Sequence, residues 1–136
     1  KTDLFINRIS NFNYSIISHD YDMYHLNGMI NEFSKKHLLT PKTANKLILM
    51  IEELLQIYIQ QYHQIKAVIK IEFSKKNHSL KIILDYSGEQ KNILLTENEE
   101  TEIGLSILKS YSSEQTYSFD NNLNHISLLL KKEKNE

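Results

Sequence analysis

The hydrophobic period of this sequence changes once, sharply, and that change constrains most of what the chain can become. Leu47, Met50, Ile51, Leu54, Leu55, Tyr58, Ile59 and Tyr62 share one broad helical face. From Ile65 onward the spacing drops to two. Ile65, Ala67, Ile69, Ile71 and Phe73 alternate with Lys66, Lys70, Glu72 and Ser74, the pattern of a strand with one buried face. A wide apolar helix running straight into a one-faced strand predicts a helix laid against a sheet. The helix has a defined start. Thr40 is a good N-cap, and Pro41 occupies the first helical position, where its missing N–H costs nothing. The spacing predicts a helix over residues 41–63.

The remaining elements follow from the same two periods. Phe12, Tyr14 and Ile16 predict a strand over 12–19, and Met23, Leu26, Ile30 and Phe33 a helix over about 22–37. After the polar Lys75–His78 stretch, Leu80, Ile82, Leu84 and Tyr86 alternate again, which makes a hairpin with the preceding strand. Residues 87–101 read as a loop, and Ile103, Ile107, Leu108 and Tyr111 as a short helix over 102–111. Strands over 114–119 and 124–131 flank Asp120-Asn121-Asn122, a turn signal. Residues 1–11 show no clean period, and the KKEKNE tail should fray. The order β-α-α-β-β-α-β-β predicts an α+β fold: a two-layer α/β sandwich, with a largely antiparallel mixed sheet and three helices on one face. Ile17, Val68, Ile83 and Leu129 fall on the opposite strand phase, so the second face is partly apolar and suits a contact surface.

At 136 residues the chain is long enough for one domain and one core. Lys1 in place of Met fits a piece of a longer protein. Sixteen basic and seventeen acidic residues lack the basic excess of a domain that lives on nucleic-acid phosphates. Without cysteine there is neither a disulfide framework nor a thiolate zinc site, which fits a reducing cytoplasm. No apolar run approaches the ~20 residues of a membrane helix, and the N-terminus carries no signal-peptide pattern.

The chemistry-bearing motifs are sparse. No phosphate-binding P-loop or dinucleotide fingerprint occurs. The six histidines (residues 19, 25, 37, 63, 78 and 125) lack the i, i+4 spacing of a helical metal clamp. Three features remain, each with a plain structural alternative. Glu52-Glu53 interrupts the stripe of the long helix, as a polar flank would. Asp85-Tyr86-Ser87-Gly88 ends a strand with a carboxylate and a permissive glycine, as a turn would. Ile103-Gly104-Leu105 opens a short helix where a glycine lets an anion approach free N–H groups, or simply permits a tight start.

Taken in order, the segments NKLILMIEELLQIYIQQY (45–62), LDYSGEQKNIL (84–94), EIGLSILKSYSSEQTYSF (102–119) and LNHISLLLKK (123–132) resemble the histidine-kinase-like ATPase (GHKL, Bergerat-fold) superfamily. Within it the chain is most similar to anti-sigma-factor serine kinases and their relatives. The likeness spans about residues 12–131 of a single 1–136 domain. It implies a catalytic-type Glu on the long helix, a Mg²⁺-binding Asn four residues on, an Asp-x-Gly turn that holds adenine, and a Gly-x-Gly-Leu turn that cradles phosphates.

Carried over, the resemblance makes Glu53 the catalytic-type residue and puts Ile57 at the metal-binding place. Shifting by one residue gives Glu52 with Gln56 as a weak alternative ligand. Asp85, Gly88, Gly104 and Leu105 become nucleotide-binding candidates. Tyr86 stands where the family has Asp, and Glu102 where it has the first phosphate-loop Gly, a charge that repels phosphate. ATP is therefore a candidate ligand, and Mg²⁺ is not expected. The expected role is a degenerate ATPase-like regulatory or protein-interaction domain with weak or no nucleotide binding. The alternatives are an active ATP-dependent anti-sigma-type serine/threonine kinase and a nucleotide-binding switch without turnover. A protein partner or neighbouring domain is expected, a homodimer is an alternative, and nucleic-acid binding and membrane insertion are not expected.

Overall fold

The computed structural model describes residues 9–96 and 98–132. Five strands, β1 (Ile9–Ile16), β2 (Ala67–Ser74), β3 (Ser79–Ser87), β4 (Ser112–Asp120) and β5 (Leu123–Leu130), form one sheet in the order β1-β2-β3-β5-β4. Three helices, α1 (Met23–Lys36), α2 (Pro41–Ile59) and α3 (Glu99–Tyr111), pack on one face. This is the expected two-layer sandwich. Every adjacent pairing is antiparallel. No two parallel strands are neighbours, as a mixed sheet would require; β3 and β4, the two ends of the α3 crossover, run parallel. They are not neighbours, because β5 folds back between them.

The strand phases follow from the alternation. Ala67, Ile69, Ile71 and Phe73 of β2 are buried under the helices, as are Leu80, Ile82, Leu84 and Tyr86 of β3 and Ile126, Leu128 and Leu130 of β5. Against them α2 presents Leu47, Met50, Ile51, Leu54, Leu55, Ile57 and Tyr58. Leu54 and Leu55 are fully buried, as their central place in the stripe requires. Ile17 lies just past β1 and is exposed. Ile83, on the helix-free face, is nonetheless buried, because its register neighbours Lys70 and Ser127 flank it.

Element ends differ from the sequence expectations for local reasons. β1 runs 9–16 rather than 12–19, since the chain turns where Ser18 Oγ accepts from the Asp20 N–H. The unassigned residues 1–8 and the tail residues 133–136 lie outside the described residues. α2 starts as expected, with Thr40 Oγ1 accepting from the Thr43 N–H at 3.1 Å. It stops at Ile59 instead of 63. There the side-chain amide of Gln61 donates to the carbonyl of Ile57, and that capping bond diverts the chain. α3 begins at Glu99, three residues before its expected start, because Asn98 caps it by accepting from the Thr101 N–H at 3.0 Å. Glu99 and Glu100, expected in the loop, thus join Glu102 in the first turn, where the helix dipole favours negative charge. Between β4 and β5, Asn121 and Asn122 both take positive φ, at 53° and 62°, the two-residue hairpin turn that matches strand twist.

Candidate functional site

The long helix α2 and the helix α3 come especially close at one glycine. A Cβ placed on Gly104 would lie 2.8 Å from Glu53 Oε1 and 3.3 Å from Ile57 Cδ1. The missing side chain lets α3 settle onto the ends of these two residues. Glu53, Ile57 and Gly104 are therefore brought together. Ile57 is 2% exposed, sealed between the helices with no lone pair to offer a cation. The one-residue-shifted pair goes elsewhere. Glu52 faces α1, where it accepts from the Asn27 side-chain amide at 3.3 Å, and Gln56 is exposed. Tyr21 lies near Glu52. Burial, reinforced by the Glu52 charge, pushes its phenol up to about 12.

Leu105 is half-buried and packs on the core, one helical step round from Gly104. It lines a groove along α3 with Glu99, Glu102 and Lys109. The start of α3 carries three carboxylates and is already capped by Asn98, so an incoming phosphate would meet negative charge there.

The segment after β3 is shut by aromatic rings. Tyr58, Tyr62 and Tyr86 form a mutual cluster with ring centroids 5.3–5.6 Å apart. Tyr86 is fully buried. Its hydroxyl donates to the Lys91 carbonyl at 2.5 Å and accepts from the Ile93 N–H at 3.4 Å. Tyr62 lies across Gly88, whose φ is +127° and whose absent Cβ would sit 2.9 Å from the ring. Both the backbone angle and the close ring demand glycine at this position. The Tyr62 hydroxyl donates to the Glu89 carbonyl at 3.1 Å. Burial raises all three phenols above their ordinary value, Tyr62 to about 12.

Asn124 completes the closure. It is fully buried on β5. Its oxygen accepts from the Lys91 N–H at 3.0 Å and the Tyr117 hydroxyl at 2.6 Å, and its amide donates to the carbonyls of Tyr86 and Glu89 at 3.2 Å. Gln61 ties the far end, donating to the Ile93 carbonyl at 3.4 Å and accepting from Thr96 Oγ1 at 2.6 Å. The loop thus has partners at both ends and in its middle.

Asp85 is not part of this arrangement. It alternates with Tyr86 and so points to the helix-free face. There Lys70 Nζ lies 2.8 Å from one carboxylate oxygen and His125 Nδ1 2.5 Å from the other. The trio follows from register. His125 is the direct cross-strand partner of Asp85, and Lys70 lies diagonal to it. Of the sequence candidates, then, Glu53, Ile57 and Gly104 converge, Gly88 joins the tyrosine cluster, Leu105 lies beside the helix contact, and Asp85 faces away. The residues that sequence reasoning passed over are Tyr58, Tyr62 and Asn124. Their signal was present: two tyrosines at i, i+4 near the end of α2, and an Asn on the buried phase of β5.

Among the described residues no three acidic or histidine side chains gather around a common point for a metal, and no helix is long and apolar enough to cross a membrane.

The fold is similar to that of a chain in the crystal structure of the SiaB–SiaC complex from Pseudomonas aeruginosa. The TM-score is 0.63 at 15% sequence identity, over 95% of this chain and 94% of that one. The likeness is one of fold. No family model matches the sequence, and no curated protein does.

Proposed function

We propose that this chain is a cytoplasmic regulatory domain that acts through a protein partner, on an ATPase-like scaffold with weak or no nucleotide binding. The observation that carries the reading is the filled space between the end of α2 and the segment after β3. On the family resemblance a nucleotide would lie there. In this chain Tyr58, Tyr62 and Tyr86 occupy it as a packed cluster, and Asn124 and Gln61 hold the segment down. Opening it would break those hydrogen bonds and expose three aromatic rings.

The chemistry agrees. Phosphoryl transfer relies on a divalent ion to bridge and neutralise the phosphates. At the position where the family has its metal-binding Asn stands Ile57, buried and aliphatic. Glu102 brings a carboxylate into the first turn of α3, where the family cradles phosphate. A role in partner binding draws support from the fold neighbour, which was crystallised as a complex of two proteins. The helix-free sheet face offers such a partner the half-buried Val68 and Leu129 beside the Lys70–Asp85–His125 trio.

Calorimetric titration with ATP and ADP, each with and without Mg²⁺, tests the reading. The expected result is binding weaker than about 1 mM and insensitive to Mg²⁺. Micromolar, Mg²⁺-dependent binding would sink it. Tight binding without turnover would move the assignment to a nucleotide switch, and with turnover to a kinase.

A further inference from the structure

On the outer side of Tyr62 lies a cleft of about 440 Å³ that shares only Gly88 with the nucleotide-binding candidates of the family resemblance. It opens between the connection that follows α2 and the segment that follows β3. None of Glu53, Ile57 or Gly104 lines it. Its charged and polar lining comes from His63, Gln64 and Lys66 in the connection after α2, and from Ser87, Glu89 and Lys91 at the end of β3 and beyond. We infer that this cleft is a binding site for a phosphate monoester group, held by Lys66 and Lys91.

The argument rests on which groups are already satisfied. Lys70, on the sheet face, is paired with Asp85 at 2.8 Å. Neither the Lys66 nor the Lys91 ammonium has a hydrogen-bond or ion-pair partner among the described residues. The backbone around them is fully engaged. The Ser87 N–H donates to the Lys66 carbonyl at 3.0 Å, the Lys66 N–H to the Tyr58 hydroxyl at 2.9 Å, and the Lys91 N–H to Asn124 at 3.0 Å. Both lysines are therefore anchored by fixed backbone in the lining of one concave site. Two unpaired ammonium groups in one cleft raise the local concentration of anions. The Ser87 hydroxyl and the Gln64 amide also make no hydrogen bond among the described residues, and His63 adds a ring nitrogen on the same wall as Lys66. That set suits the three oxygens of a phosphate monoester, which accept charge-assisted hydrogen bonds from several donors at once.

Glu89 is the one carboxylate among the lining residues, and it opposes an anion. Its backbone carbonyl is tied to Tyr62 and Asn124, while its side chain is exposed. Its presence sets a sign for the test: removing the charge must tighten the site.

The group could arrive as free phosphate ester or as a phosphorylated side chain of a partner. Backbone amide shifts of the whole chain at low ionic strength, titrated with inorganic phosphate and with a short phosphoserine peptide and its unphosphorylated twin, separate the two. Saturable shifts at the amides of Lys66, Ser87, Gly88 and Lys91 are expected with both phosphate forms and not with the unphosphorylated peptide. A tighter phosphopeptide marks a partner side chain as the source, and a tighter free phosphate marks a small molecule. Lys66→Ala with Lys91→Ala should weaken binding about tenfold or more with an unchanged thermal melt, and Glu89→Gln should strengthen it severalfold. Shifts confined to other segments, or binding indifferent to the lysine pair and to Glu89→Gln, would overturn the assignment. Adenosine, which has no phosphate, is the control. If it shifts the same amides, the cleft takes a nucleoside and the anion assignment fails, whatever calorimetry with ATP shows for the closed segment beside it.

Discussion

Replacing Ile57 by Asn would insert an amide into the contact between α2 and α3, and the cost can be worked from the geometry. The isoleucine is 2% exposed. Losing a buried aliphatic side chain of this size removes about 1.5–3 kcal/mol of transfer free energy. The incoming amide brings a donor pair and an acceptor into the same space. A buried polar group without a partner costs about 1–3 kcal/mol. One neighbour can offset part of this. Glu53 Oε1 and Ile57 Cδ1 flank the same point beside Gly104, at 2.8 Å and 3.3 Å from the position of its absent Cβ. A hydrogen bond from the new amide to that carboxylate would return about 1 kcal/mol. The net expectation is a loss of about 1.5–5 kcal/mol. Urea unfolding followed by circular dichroism measures it as a fall in midpoint at constant slope. Ile57→Val, which keeps the site apolar, should lose only about 0.5–1.5 kcal/mol. A loss below about 1 kcal/mol for Ile57→Asn would mean that water reaches the position, and the sealed helix contact argued above would be wrong.

Three further outcomes follow from the packing. Leu54→Ala and Leu55→Ala should each cost about 2–5 kcal/mol, because both side chains are fully buried against the sheet; thermal melts unchanged at both sites would refute the helix phase. Asn124→Ala strands the Tyr86 carbonyl in a buried bond and the Lys91 N–H and Glu89 carbonyl in part-buried ones, so at roughly 1–3 kcal/mol per stranded group it should cost about 3 kcal/mol or more. It should also speed hydrogen exchange at Lys91 and Ile93 above the global rate. Stability should fall as pH rises from 10 through 12. Burial holds Tyr21 and Tyr62 protonated to about 12 in the folded chain, while the unfolded tyrosines ionise near 10. The unfolded state therefore binds fewer protons across that window and is favoured; a midpoint that is flat between pH 10 and 12 would contradict the burial of these phenols.

Much of the architecture was legible in residue spacing. The 3.6-residue stripe of α2 and the alternation of β2 and β3 gave both the elements and the face each one buries. The same alternation already put Tyr86 inward and Asp85 outward, since Leu84 and Tyr86 share a phase. What spacing could not give was contact between segments distant in sequence. Gly104 meets Glu53 and Ile57 from 51 and 47 residues further along the chain, a separation that loop closure must bridge. Nothing local to EIGLSIL signals that meeting. The early start of α3 was hidden for another reason. Its first turn is acidic and polar, so no apolar period marks it, and the cap at Asn98 becomes visible only through its bond to the Thr101 N–H. The closure of the segment after β3 depends on Asn124, whose four hydrogen bonds reach back more than thirty residues to Tyr86, Glu89 and Lys91 as well as to nearby Tyr117.

The measurement that bears most directly on the central claim is phosphate release from ATP by the unmodified chain, with Mg²⁺ and with EDTA. On the proposed reading, Tyr58, Tyr62 and Tyr86 fill the space a nucleotide would take and Ile57 stands where the resemblance puts a metal-binding Asn, so the chain should release phosphate at the background rate under both conditions. Mg²⁺-dependent turnover that Glu53→Gln abolishes would contradict the account and make the chain a working enzyme.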